Sequence, residues 1–383
     1  MPENKEITRI QVSPAVLGWA IDRPERLELE KKFPKLADWI SGKSGPTINQ
    51  LEDFARCTNI PFGFFFLKEP PLQVLPIPYF RSVENSASVR PSDELLDTVR
   101  QVKSRQDWLR EYLIDQGADK LPFVNSASVG DDAIAVAHKI RESLNIDHGW
   151  AASQKTWTDA LKDLIVRVES LGIFVVSNGV VGNNTHRALD PKEFRGFVLV
   201  DSYAPIIFLN GVDSKAAQMF SIAHELAHIW LGKSAAFDLR ELTPANDPIE
   251  LKCNAIAAEV LVPQQELLAL WKSSGKQTFD QISRHFKVSQ LVAARRAADL
   301  GLITRAQFFA FYRKYLEQEF HSSDSAKSGG GNFYLTQNQR LGRLFAQTVY
   351  AAVKQNKLLY RDAYRLTGLK GKTFDTYFTK TFT

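Results

Sequence analysis

Cysteine is nearly absent from this chain of 383 residues: Cys57 and Cys253 are the only two. Two thiols build no disulfide framework, which argues against a small secreted scaffold. Long apolar runs are missing too. None reaches the roughly 18 residues that a membrane span requires, and the opening "MPENKEITRI" has no apolar core of a secretory signal. We therefore expect a cytoplasmic protein without membrane contact. A strong charge of one sign is also lacking, since 48 Lys and Arg stand against 43 Asp and Glu. The net of +5 is unevenly placed. Residues 1–69 balance, whereas residues 321–383 carry ten basic side chains against Asp324, Asp362 and Asp375. Such a basic end suits either an acidic partner, nucleic acid included, or a plain solvated surface.

What is present is an ordinary globular composition, 44% hydrophobic and 24% charged. The length exceeds one compact core, so two or three domains are expected. Residues 13–67 read as five short helices: "SPAVLGWAI", "RLELEKKF", "PKLADWISG", "TINQLEDFARCTNI" and "PFGFFFL". Thr47 caps the fourth, and Pro61 opens the fifth where its missing N–H costs little. "KEPPLQVLPIPYFR" (68–81) holds four prolines and reads as an extended linker. Amphipathic helices are expected over 92–115, 131–146 and 155–171. The period then changes. "IFVVS" (173–177), "GFVLVD" (196–201) and "PIIFLN" (205–210) are short β-branched runs that predict a small sheet. Helices follow at about 213–231 and 248–261, with Pro248 near the start of the second. Residues 278–300 suggest a helix pair around "HFKVS"; Lys287, Arg295 and Arg296 could touch phosphate, but a supporting role is favoured. "HSSDSAKSGGGN" (321–332) reads as a flexible hinge before a last small helical unit.

The chemistry concentrates in "SIAHELAHIWLG" (221–232). His224 and His228, four apart, share one helical face and can bind one metal ion together. Glu225 flanks that ion and can take a proton from water. This is the H-E-x-x-H arrangement, whose mechanics are those of a metalloprotease. A catalytic zinc wants a third protein ligand. The following helix offers Glu250 and Glu259, about 180° apart on its surface, so only one of them can face the metal. Zinc, one ion per chain, is the expected cofactor; Mn2+ or Fe2+ would suit two imidazoles and a carboxylate nearly as well. Cys253 is expected to be a small buried packing residue. Ile207 and Leu209, on the strand before the metal helix, would contact an extended substrate if that strand is the sheet edge. Residues 183–187 and 193–196 could form a cleft rim, although a plain surface loop is the simpler reading.

"FSIAHELAHIWLG" followed by "IELKCNAIAAEVLVP", with "EFRGFVLVDSYAPIIFLN" upstream, resembles the ImmA/IrrE family of zinc metallopeptidase domains over about residues 160–305. The resemblance implies metal ligands at His224, His228 and Glu250 and a general base at Glu225. It leaves Asn254 and Glu259 as supporting groups behind the ligands. The N-terminal helices, with Trp39 to Thr47 at their centre, resemble an Xre/Cro-type helix-turn-helix, although a DNA reader is usually more basic. The expected fold is α+β and mostly helical. Residues 1–69 would form the helix-turn-helix-like bundle, 70–154 a linker and helical connector, 155–305 a zincin-like peptidase domain with trailing helices, and 306–383 a basic helical region. Chains of this layout are implied to be either endopeptidases that cut a protein regulator, or antitoxins and transcription regulators. The second kind would bind a partner toxin such as a PIN-like ribonuclease, or DNA.

Overall fold

The computed structural model describes residues 9–21, 29–58, 60–71, 79–80, 91–237, 247–273, 278–322 and 333–382. The chain divides into two compact units, 1–74 and 75–383. The first holds α1 (Pro14–Ile21), α2 (Leu29–Lys32), α3 (Leu36–Ile40), α4 (Ile48–Thr58) and a 3-10 turn at Phe62–Phe66. At the start of α4, Thr47 Oγ1 accepts from Gln50 N and Gln50 Oε1 from Thr47 N, which satisfies two otherwise unpaired donors. Leu51, Phe54, Ala55 and Thr58 then fall on one buried stripe. Phe54 sits edge-on between Phe33 and Phe65, with ring centroids 5.3 and 5.5 Å away. Five short helical pieces around one aromatic core are therefore present. The start of the second, residues 22–28, lies outside the described residues.

In the second unit the elements run β1 (Tyr79–Phe80), α5 (Asp93–Asp115), α6 (Ala133–Ser143), α7 (Trp150–Ser153), α8 (Trp157–Ser170), β2 (Phe174–Asn178), β3 (Val180–Val181), β4 (Asn184–Ala188), β5 (Gly196–Leu199) and β6 (Ile206–Asn210). There follow α9 (Lys215–Leu231), β7 (Ala235–Phe237), α10 (Pro248–Leu261), α11 (Gln264–Ser273), α12 (Phe279–Phe286), α13 (Gln290–Asp299), α14 (Arg305–Ser322), α15 (Phe333–Leu341), α16 (Arg343–Lys354), α17 (Tyr360–Thr367) and α18 (Gly371–Phe382). The fold is α+β and mostly helical, around one five-stranded sheet of order β1-β7-β5-β6-β2. β6 runs parallel to β2 and antiparallel to β5, which in turn pairs antiparallel with β7.

Side chains alternate across this sheet with period two. Val175, Val198, Ile207 and Leu209 point to a core shared with α6, α8, α9, α10, α12 and α13. Phe174, Val176, Phe197, Leu199, Ile206 and Phe208 point to the opposite core. That second core is completed by Leu95, Val99, Val102 and Leu109 of α5 and by Phe345, Val349, Phe374, Tyr377 and Phe378 near the C-terminal end. The helices read as a connector and a tail thus share one core with the sheet. The Ser/Gly stretch at 321–332 lies almost wholly outside the described residues, as does most of the proline-rich segment; Tyr79 and Phe80 at its end form β1.

One expectation is overturned. β6 is not the sheet edge, because β5 and β2 flank it on both sides. Ile207 and Leu209 are fully buried and their strand has no free main-chain edge, so they cannot receive an extended substrate. A strand covered on both faces reads as a continuous apolar run, and that signature belongs to the centre of a sheet. Residues 183–187 fall largely on β4 of a two-stranded hairpin. There Arg187 binds Glu94 and Asp97 of α5 at 2.9 and 2.8 Å.

The basic residues of the α12–α13 pair are engaged within the fold. Arg296 pairs with Glu259 and donates to Val262 O. Lys287 lies over the Trp157 ring and donates to Arg284 O, and Arg295 pairs with Asp299.

Candidate metal centre

α9 begins where Ser214 Oγ accepts from Ala217 N and ends at Gly232, whose φ of +67° is left-handed. Every residue from Ala217 to Leu231 is buried, so this is a helix enclosed by protein on all sides. Its far end is pinned by Phe123 stacked on Trp230 at 4.6 Å, and by the bonds from Asn125 N and Ala127 N to the carbonyls of Ile229 and Trp230. On this rigid support His224 and His228 stand one turn apart, and their Nε2 atoms are 3.1 Å from each other.

α10 supplies the carboxylate. Asp247 caps it by accepting from Ile249 N and Glu250 N, and Pro248 opens the first turn. Glu250 then projects from the first turn against α9. Its Oε2 lies 3.1 Å from His224 Nε2 and its Oε1 3.2 Å from His228 Nε2. Both rings and the carboxylate are completely buried. One turn further along α10, Asn254 Oδ1 sits 3.1 Å from His224 Nδ1. An amide oxygen only accepts, so that ring carries its proton on Nδ1 and presents a bare Nε2 to the cluster.

This arrangement fits a divalent metal. Ligand atoms around tetrahedral zinc, at about 2.0–2.2 Å from the ion, lie about 3.3 Å apart. The three contacts of 3.1–3.2 Å match that spacing. The electrostatics agree. Neither Glu250 oxygen meets a hydrogen-bond donor, and His228 Nδ1 has no partner among the described residues. Lone pairs that converge on one buried point repel one another unless a cation sits between them. Burial lowers the His224 pKa even against the pull of Glu250, which favours the neutral imidazole that a metal needs.

The Cys253 thiol also lies within 4.8 Å of ring nitrogens on both histidines. Burial pushes its pKa well up, and the nearby carboxylates Glu250 and Glu225 push it further. The Glu250 oxygens stand 3.1 and 3.2 Å from the two rings, so a carboxylate and a thiol are both at hand as a third donor.

Glu225 is buried behind the cluster, and both its oxygens lack partners among the described residues. Burial, then the charge on Glu250, raises its pKa well above the ordinary carboxylate value. The strand above it is Gly196 of β5. A Cβ there would stand 2.9 Å from Phe208 O and 3.4 Å from Glu225 Oε1, so glycine leaves the room in which the Glu225 carboxyl lies. Ser221, one turn before Glu225, has a buried hydroxyl without a partner among the described residues. Gly196 was not legible as a neighbour of Glu225, because its approach depends on strand register, whereas Ser221 follows from helical spacing. Glu259 lies on the other face of α10, where it pairs with Arg296 and accepts from Gln264 N. It braces α10 against α13 and does not touch the rings.

No curated protein matches the chain. Residues 341–380, spanning α16 to α18, match the family model of a domain of unknown function (DUF8813). Residues 168–298, which contain the sheet strands from β2 to β7 together with α9 and α10, match the family model described as the IrrE N-terminal-like domain, Peptidase_M78, so the described cluster stands within a segment of metallopeptidase type.

Proposed function

We propose that this protein is a zinc-dependent endopeptidase that cuts a protein regulator. The observation that carries the reading is the triangle of His224, His228 and Glu250 with Glu225 beside it, inside a segment of peptidase type. A bound zinc ion would polarise the scissile carbonyl and acidify water. The chain's own residues do the rest. His224, His228 and Glu250 hold the ion, and Asn254 keeps the His224 ring in the productive tautomer. Glu225 accepts one proton of the attacking water and delivers it to the amine that leaves, so water and peptide become an acid and an amine.

One observation favours a second reading, an antitoxin or transcription regulator that uses the peptidase fold for binding. All four side chains of the cluster have zero exposure, so no substrate reaches them in this conformation. The decisive experiment compares wild type with Glu225→Gln, both loaded with zinc, against the product of a neighbouring gene. Under the peptidase reading Glu225→Gln keeps its zinc and loses cleavage by about 10²–10⁴-fold. If the variant retains full biological activity, the binding reading replaces it. The same assay with labelled DNA tests whether the N-terminal bundle reads nucleic acid.

A further inference from the structure

An endopeptidase must bring an extended peptide alongside its general base, and main-chain pairing with a strand edge is a common way to hold one. Here β6 offers no edge. The strand next to Glu225 is β5, through Gly196, and one side of β5 is bonded to β6. Its other side is the only one an incoming peptide could use, and that side is filled by the chain itself. β7 pairs antiparallel along it, with Phe237 opposite Gly196, Ala236 opposite Phe197 and Ala235 opposite Val198. Ser234 Oγ accepts from Val200 N at 2.9 Å and so continues the row by one more step. β1, from a segment more than a hundred residues earlier, adds a further parallel strand outside β7, Tyr79 opposite Ala236 and Phe80 opposite Phe237.

Resting on the peptidase reading above, we propose that this conformation is latent. The β7 strand occupies the position of a substrate backbone on β5, β1 backs it, and the two together keep the metal cluster closed. The ligand that displaces them is an extended polypeptide running antiparallel to β5. Among the described residues the closure comprises three residues of β7 and two of β1. Local opening of this edge ladder needs no unfolding of the cores on either face of the sheet. On this proposal the zero exposure of His224, Glu225, His228 and Glu250 is a property of the resting state only.

The test reads access to the metal instead of activity. Full-length protein is loaded with zinc, and the rate at which a chromogenic chelator removes the ion is measured for wild type, Ser234→Ala and Ala236→Pro. Ser234→Ala deletes the side-chain acceptor for Val200 N. Ala236→Pro deletes the N–H of the central β7 residue, which faces β1, so it loosens β7 from the strand that backs it and is the stronger change. The proposal expects removal to speed up by about tenfold in Ala236→Pro, the equivalent of one or two main-chain hydrogen bonds, and by less in Ser234→Ala. A Phe374→Ala variant, destabilised in the opposite core, is expected to release zinc at the wild-type rate. Stoichiometric zinc with equal rates in all the proteins overturns latency while leaving the metal site intact. Failure of the wild type to hold zinc overturns the peptidase reading itself, and this proposal with it. If Ala236→Pro does not fold, Ser234→Ala alone decides between faster and unchanged release.

Discussion

The two faces of the central sheet are built from the same strands but carry opposite chemistry. Toward the C-terminal helices the strands bury Phe197 stacked on Phe208 at 4.9 Å, with Phe194 beside both. The polar group that reaches these strands from α5, Gln106, spends its amide on the carbonyls of Leu199 and Ala204. Toward α9 the same strands cover two imidazoles and two carboxylates with several unpartnered atoms. The aromatic face is what area burial alone would select. The α9 face costs stability as it stands, since unpaired buried polar groups are unfavourable. A bound cation would offset that cost, and the donor spacing fits a divalent metal.

That contrast can be broken from either side. The largest effect is expected on the α9 face. His228→Ala leaves only His224 and Glu250 for the ion, and zinc measured by elemental analysis after dialysis should fall from about one per chain to near zero. On the other face, Phe208→Ala should lower the unfolding free energy by about 3–5 kcal/mol in denaturant titration while zinc content stays unchanged. Loss of zinc in that variant would show that the faces are not separable. Asn254→Ala tests a finer point. It frees the His224 ring to change tautomer, and zinc affinity should weaken by about 10–100-fold in a competition titration, with the melting temperature of the metal-free protein nearly constant.

The smallest expected effect comes from Glu169, at the C-terminal end of α8, which accepts from Leu344 N at the start of α16. Burial raises its pKa above the ordinary 4.5, and the Leu344 bond and Arg343 only partly counter this. A carboxyl with a raised folded-state pKa binds protons more tightly when folded. Its burden is absent below the unfolded pKa and complete above the folded one, so stability falls as pH rises through that window. Glu169→Gln should therefore flatten the dependence of melting temperature on pH just above 4.5, and leave the curve unchanged at lower pH. An unaltered profile would show that solvent reaches the group.

Much of the local structure was legible. The apolar stretch placed α9 at about 213–231, and Pro248 marked the start of α10, because backbone restriction acts within a few residues. The i, i+4 histidines needed only helical geometry. Both helix-turn-helix-like stretches proved to be short helices around apolar contacts, which periodicity alone can anticipate. Glu250 and Glu259 were separable only as opposite faces of one helix. Which of them faces α9 was implied by resemblance, and the packing of α10 on α9 places Glu250 there.

The sequence by itself determined the helices, the existence of a small sheet and a metal-competent pair of imidazoles, since these depend on the spacing of neighbours along the chain. Only the tertiary structure decided that β6 is central, that the C-terminal helices complete the second core, and that β7 and β1 cover the strand beside Glu225. Strand order and edge coverage are set by contacts between segments far apart in sequence, where any of several pairings would satisfy the same hydrogen-bonding groups. The burial of the whole cluster follows from those pairings and from no single motif.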